Sequence, residues 1–522
     1  MNVSDRKSKV QSLVLIPIMF LLLGGCARLP ENSGRTTSFA YNQPAETTIG
    51  KRWEKAFQEN PDDSAYYPLG NGHDALFARG LLANLAERTI DAQYYLWHKD
   101  AVGGLLLGKL FKAADRGVRV RLLLDDMGLE GRDFNMAVAD AHPNMEVRIF
   151  NPFGRNTSRV MQFVTGLGEQ TRRSHNKSFT IDNIATILGG RNIGDEYFIA
   201  DPELDFYDLD VLVVGPVVQE VSGSFDQFWN HELSYPVSSL AVKLPTVQQS
   251  QEIRANFDEF VSEQQTSEYF EMIQNSELAE DLRSSTHEFI WGPGEIVGDD
   301  PQKLVTDTDD KTYHLSEELG PYLNEVNNEL LIISPYFVPG KGGLAYFKKL
   351  REQGVSVTVL TNSLASTDVP IVHSGYANYR RQLLRMGVKL YELNSQLNKE
   401  MERGKFYESK SSLHAKAMVI DRSIVFIGSL NLDPRSVIQN TEIGIVLKST
   451  EIADRLAMFF DKKVDLIAYR LELKIDQDGF EHIVWHGVVD GEKIKRYWEP
   501  NTSFWERFSM GFLRLMPAES QL

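Results

Sequence analysis

The chain has 522 residues and 42% hydrophobic content, enough to bury two substantial cores. Its 72 acidic residues against 55 basic ones leave a net charge of −17, which argues against a surface that clings to nucleic acid indiscriminately but allows a local basic cleft. The single cysteine, Cys26, excludes a disulfide within the chain.

Residues 1–26 read as an address rather than as fold. Arg6, Lys7 and Lys9 form a basic start, and 13–23 is an apolar run too short to span a bilayer. The run ends in Leu23-Gly24-Gly25-Cys26, which resembles a bacterial lipobox. Cleavage before Cys26 and lipidation of its thiol and new amine are expected; an uncleaved anchor is the alternative. Several acyl chains, at about 0.8 kcal/mol per buried CH2, would hold the protein stably on a membrane. Ala27 resembles the residue after the cysteine in lipoproteins sorted outward. The expected location is the periplasmic side of the bacterial cell envelope, on the outer membrane, with the inner membrane as the alternative. Residues 27–52, polar and rich in Gly, Pro, Ser and Thr at the start, read as a tether.

Two strand–helix–strand units follow, one in each half. In the first, 91–97 is a strand, a helix runs from Gly103-Gly104 to Arg116, Gly117 breaks it, and 118–124 is a strand. In the second, 330–337 is a strand, a helix runs from Gly342-Gly343 to Gln353, and Gly354 leads into a strand at 355–360. Such units predict right-handed crossovers and a parallel-rich sheet. The fold class is α/β: two similar α/β/α sandwich domains, 53–237 and 288–522, joined by a helical linker at 238–287. A disordered linker is the alternative.

Each half also carries H-x-K-x4-D-x6-G-[GS]-x-N. The first copy is His175, Lys177, Asp182, Gly189, Gly190 and Asn192; the second is His414, Lys416, Asp421, Gly428, Ser429 and Asn431. One copy would arise by chance roughly once in ten thousand such chains, so two at matched positions mark an internal duplication. Each copy reads as a hairpin, with Asp182-Asn183 or Asp421-Arg422 as the turn. His175 and Lys177 share one strand face, as do His414 and Lys416. A two-residue turn brings Gly190 opposite His175 and Ser429 opposite His414. An imidazole, an ammonium, an amide and an uncrowded backbone together suit a phosphate. The alternative is a buried strand His beside a snorkelling Lys. Beyond each Asn lies a carboxylate at a strand start, Asp210 in DLDVLVVG and Glu442 in TEIGIVL.

The duplicated motif resembles that of the phospholipase D superfamily. The flanks RRSHNKSFTID, GGRNIGDEYF, SSLHAKAMVID and GSLNLDPRS resemble bacterial cardiolipin synthases, the C branch above all. The resemblance runs from about Asp74 to the C-terminus. It implies one active site at the interface of the two domains, working through a phosphohistidine, with His175 favoured as nucleophile and His414 as acid. It implies that Lys177, Lys416, Asn192 and Asn431 hold the phosphoryl oxygens, with Gly190 and Ser429 beside them. It also implies that Asp210 and Glu442 orient the histidines; ordinary strand-end carboxylates are the equal alternative. Asp182 and Asp421 belong to the family's catalytic motif, although a turn alone would select Asp there.

No cofactor or metal is expected. The expected partners are a membrane surface and its phospholipids, with phosphatidylglycerol and phosphatidylethanolamine as candidate substrates; an accessory protein is compatible with this. Phosphatidyl transfer giving cardiolipin leads; hydrolysis to phosphatidic acid is the alternative, nucleic-acid phosphodiester cleavage a lesser one, and a lipid-binding scaffold the non-enzymatic one. Near the C-terminus, Phe504, Phe508, Phe512 and Leu515 share one helical face with Trp505 beside them, a stripe expected to pack on its own domain, with packing on lipid as the alternative.

Overall fold

The computed structural model describes residues 29–32, 34–155, 159, 162, 171–199, 204–241, 243–284, 288–396, 410–489 and 491–513. The signal segment with Cys26, and Leu515, lie outside the described residues.

Each half builds one mixed sheet. The first has nine strands, in the order Ile290–Gly292, Ser64–Leu69, Asp210–Val214, Ala185–Gly189, Ser178–Ile181, Thr89–Tyr94, Arg119–Asp125, Met145–Phe150 and Ser234–Pro236. The second has ten: Gly294–Gly298, Ile443–Lys448, Ile424–Gly428, Ala417–Ile420, Glu329–Ile333, Ser356–Asn362, Lys389–Leu393, then Ala468–Ile475, Glu481–Val489 and Glu492–Arg496. In both sheets three parallel strands come from the crossover units, and the motif hairpin pairs antiparallel with the first of them. The parallel strands are buried along most of their length because both of their faces are covered, and charges within them are paired, as Arg121 is with Asp91 at 2.6 Å. The helix Ala101–Asp115 starts where the Asp100 side chain accepts from Gly103 N, and Gly117 takes φ 95° just past its end, a conformation open to glycine.

Helices cover the outer face of each sheet. They are Gly72–Leu85, Ala101–Asp115 and Asp133–Asp140 in the first half, and Leu315–Asn324, Gly340–Glu352 and Pro370–Arg385 in the second. The inner faces do not form separate cores. Leu188, Val211 and Val213 of the first sheet join Val425, Ile427, Ile445 and Leu447 of the second, together with the helices Val217–Asn230 and Thr450–Lys462. This shared apolar layer fixes the halves against each other and turns the two hairpins face to face.

Backbone bonds reinforce the junction at the motifs themselves. Leu204–Tyr207 pairs in parallel with Lys410–Leu413. His175 N donates to Thr441 O at 2.9 Å, and His414 N donates to Tyr207 O at 2.8 Å. The helices Val247–Gln264, Glu268–Gln274 and Glu277–Ser284 lie between the halves in sequence but pack on the outer helices of the first. The chain passes from one sheet to the other at Pro293, within the segment expected to open the second domain.

Two expectations are corrected. The hairpin connections hold three residues, not two: Ile181 pairs with Ala185, and Ile420 with Ile424. Both turn residues in each copy have positive φ, and the added Ile184 or Ser423 shifts the register by one. Gly190 and Ser429 are therefore not directly opposite the histidines. The C-terminal aromatic stripe does not pack inward either: Phe504, Trp505 and Phe508 are 64%, 72% and 64% exposed.

Candidate active site

The two histidines lie at the junction, each just ahead of a hairpin strand and each bonded through its backbone to the other half. Their side chains cross the junction too. His175 Nδ1 lies 2.8 Å from Glu442 Oε2, and His414 Nδ1 lies 2.5 Å from Asp208 Oδ2. Each half thus supplies the carboxylate that holds the other half's imidazole, leaving each Nε2 for chemistry. Asp208, not Asp210, is the counterpart of Glu442. Gly189 pairs with Asp210 while Gly428 pairs with Gly444, so Glu442 and Asp208 both sit two residues before the paired position. Asp210 instead binds Arg79 at 2.8 Å and Arg191 at 3.3 Å, an ion cluster inside the first half.

Lys177 Nζ donates to His175 O at 2.6 Å, and Lys416 Nζ donates to His414 O. Each ammonium is folded back beside its own imidazole. Asn192 Nδ2 donates to Tyr197 Oη at 3.0 Å, and Asn431 Nδ2 approaches Ser436 Oγ at 3.3 Å while its carbonyl oxygen is buried without a partner. All of these side chains are buried.

The Gly/Ser difference between the copies has a geometric cause. A Cβ at Gly190 would lie 2.1 Å from Asp208 Oδ1, so glycine leaves room for the carboxylate that holds His414. Ser429 Oγ donates to Glu442 Oε2 at 2.5 Å. Its hydroxyl steadies the carboxylate of His175, in place of the phosphate contact expected for it.

Asp182 and Asp421 stand apart from the histidines, at the hairpin turns. Asp182 accepts from the backbone amides of Glu87, Arg88 and Thr89, and Asp421 from those of Asn327, Asn328 and Glu329. Both carboxylates staple the turn to the chain entering the adjacent parallel strand, an architectural duty repeated in both copies.

The site is electrostatically lopsided. Burial, then Lys177, Lys416 and His414, drive the His175 imidazole well below its usual pKa. Burial and Lys416 also lower His414, but Asp208 opposes them. Burial would raise Asp208, yet His414 and Lys416 outweigh it and hold the carboxyl well below its usual range. Glu442, by contrast, is pushed up to about 7, chiefly by burial, with Lys177 opposing. Burial lowers Lys177 to about 7 and Lys416 to about 8. His414 therefore faces an ionised partner, while His175 is held neutral. A neutral imidazole, a second imidazole backed by a carboxylate and two ammonium groups can attack, protonate and neutralise a phosphodiester.

Sequence reasoning missed several neighbours. Tyr95 stands edge-on to His175 with ring centroids 4.9 Å apart, and Tyr197 and Phe206 flank His414, each at 5.1 Å. Arg435, from the flank GSLNLDPRS, adds positive charge beside His175. Among the described residues, one group brings three metal-ligand types together, His98, Asp100 and Glu196. There Asp100 accepts from Gly103 N and Asp195 N, and Glu196 faces His98 at 3.2 Å, so the group braces the start of the first crossover helix.

The family described as cardiolipin synthase, PLD-like domain, matches residues 82–229 and 320–464. The chain is 38% identical over 464 residues to cardiolipin synthase C of Escherichia coli (strain K12), covering 88% of this chain and 97% of that one. It is 32% identical over 511 residues to an uncharacterised protein of Helicobacter pylori (strain ATCC 700392 / 26695), covering 97% and 98%. Among solved structures, phosphatidylserine synthase of Haemophilus influenzae Rd KW20 aligns with a TM-score of 0.49 at 14% identity, covering 79% of this chain and 90% of that one.

Proposed function

The chain belongs to the cardiolipin synthase family of the phospholipase D superfamily and is a phosphatidyltransferase acting on phospholipids; on that premise we propose that it makes cardiolipin through a phosphohistidine formed at one site shared by its two halves. The crossed pairing carries the shared site: each motif histidine depends on a carboxylate and a backbone carbonyl of the opposite half. The extent of likeness to cardiolipin synthase C supports the reaction.

In this reading neutral His175 attacks the phosphorus of a donor phospholipid, and the bond from phosphorus to the departing alcohol breaks. His414, entering as the imidazolium that ionised Asp208 favours, gives that alcohol the proton on its Nε2. His414 then takes the proton of an acceptor hydroxyl on a second phospholipid. The acceptor oxygen attacks phosphorus, the phosphorus–nitrogen bond breaks, and His175 is restored. Lys177, Lys416, Asn192 and Asn431 offset the charge on the phosphoryl oxygens. Phosphatidylglycerol and phosphatidylethanolamine are the candidate lipids. With water as the acceptor, the same intermediate gives phosphatidic acid.

No described helix is long and apolar enough to cross a membrane. We place the protein on the periplasmic side of the bacterial envelope, anchored through lipidated Cys26. Lipid mass spectrometry of cells before and after deletion and complementation tests the reaction. Loss and restoration of cardiolipin is the expected result; a change in phosphatidic acid alone would assign hydrolysis instead.

A further inference from the structure

We propose that the aromatic face of the C-terminal helix, Phe504–Leu513, is a docking surface that seats the second half on an anionic phospholipid bilayer; this rests on the lipid-substrate reading above. The face is built from large rings. Phe504 and Phe508 stack with centroids 6.3 Å apart, Trp505 meets Phe508 edge-on at 6.1 Å, and all three project into solvent. Tyr497 and Trp498, 64% and 56% exposed, lie just ahead of the helix. A cluster of exposed rings of this kind marks an interaction surface, and amphipathic aromatics on a surface helix favour the boundary between headgroups and acyl chains.

The helix is not a loose end. Met510 is buried, and the helix rests on Pro370–Arg385. Just ahead of it, Glu499 binds Arg380 at 2.6 Å and Asn501 Nδ2 donates to Asn394 Oδ1 at 2.9 Å. These anchors tie the segment ahead of the helix to the C-terminal end of the parallel strands, the end at which His414 lies. Asn394 follows directly on the strand Lys389–Leu393, which runs parallel to Ser356–Asn362. Asn362, the last residue of that neighbour, holds the backbone of Leu413 through both its amide oxygen and nitrogen, each at 2.9 Å, one residue before His414.

Charge selects the bilayer over other occupants. The edge strand Glu492–Arg496, which feeds this segment, presents Lys493, Lys495 and Arg496 to solvent on a chain of net charge −17. Exposed rings following a basic strand are complementary to apolar tails beneath anionic headgroups.

The full-length protein carrying Cys26→Ser has no cysteine, so a polarity-sensitive fluorophore on Phe508→Cys reports this face alone. With vesicles of phosphatidylethanolamine and phosphatidylglycerol, the emission is expected to shift to the blue and to be quenched by nitroxide-bearing acyl chains. Phosphatidylcholine vesicles are expected to give a several-fold smaller response, and a label on Gln58→Cys none. Replacing Phe504, Trp505 and Phe508 together by Ser is expected to lower turnover of vesicle-borne phospholipid several-fold and to leave turnover of a soluble nitrophenyl phosphodiester unchanged. A label at 508 that stays in water on vesicles, or responds only when a protein partner is added, would overturn the docking surface; so would wild-type turnover of vesicle lipid by the triple Ser variant. The label decides the docking even where the soluble substrate is not turned over, and that failure would count against the enzymatic reading alone.

Discussion

Glu442 and His175 lie 267 positions apart in the chain and 2.8 Å apart in space, one on each side of the junction. The reciprocal pair, Asp208 and His414, closes the same junction from the other direction. The carboxylate that holds each histidine comes from the opposite half, so the site is complete only when the two halves are packed together.

The carboxylates that hold the histidines should therefore act on rate. Glu442→Gln and Asp208→Asn are each expected to lower kcat roughly 10²–10⁴-fold with the fold intact, because a misoriented imidazole forfeits general acid–base catalysis. Asp210→Asn is expected to act on stability, by about 3–5 kcal/mol, since it leaves Arg79 and Arg191 short of a buried counter-charge. Steady-state kinetics alongside thermal unfolding separate the two outcomes. Near-normal kcat in Glu442→Gln would contradict the orienting role.

Gly190→Ala tests the room made for Asp208. Its methyl would fall 2.1 Å from the carboxylate, so the carboxylate must move off His414. The variant is expected to lose as much activity as Asp208→Asn, with both motif histidines and both lysines unchanged. Kinetics and the NMR titration of His414 check this.

Asp182→Ala and Asp421→Ala are expected to destabilise the protein rather than disable its chemistry. Asp182→Ala leaves three buried or part-buried amides without their acceptor, costing on the order of 3 kcal/mol, whereas Asp421→Ala costs less, because the Asn327 and Asn328 amides are exposed and water can replace the carboxylate. Thermal unfolding should register the loss, while kcat per folded molecule should stay close to normal.

The lysines set a pH dependence. A buried ammonium with a lowered pKa carries charge below that pKa and loses it above. Lys177 at about 7 and Lys416 at about 8 should therefore lose their grip on an anionic phosphodiester as the pH rises through that interval. In a profile of kcat/KM the alkaline limb is expected there. In kcat it is expected at higher pH, because bound phosphate favours the charged lysines. A kcat/KM profile without an alkaline limb in this range would contradict the assignment.

Much of this was legible in the sequence because the chain repeats itself. The spacing from His to Asn, carried twice, located the residues gathered at the junction, and the crossover units predicted the parallel strands. What was not legible depended on single-residue register. Asp182-Asn183 announces a turn, but whether Ile184 bulges or pairs is decided by the ladder that follows. DLDVLVVG offers two aspartates, and only the pairing of Gly189 with Asp210, against Gly428 with Gly444, shows that Asp208 matches Glu442. The crossing of partners between halves was not legible, because it comes from the shared apolar layer and not from either motif. The exposure of Phe504, Trp505 and Phe508 was missed because helical spacing reports a face without saying what covers it.

The most direct test of the shared site is to trap its intermediate. His414→Ala, incubated with a phosphatidyl donor whose leaving group is a nitrophenol, needs no acid for the first step. Mass spectrometry of the digested protein is then expected to find a phosphatidyl group on His175. His175→Ala under the same conditions is expected to carry none, and both variants should be nearly inactive on natural lipid. An adduct on His414 in His175→Ala, or half of wild-type activity in each variant, would contradict the account and leave two sites working independently.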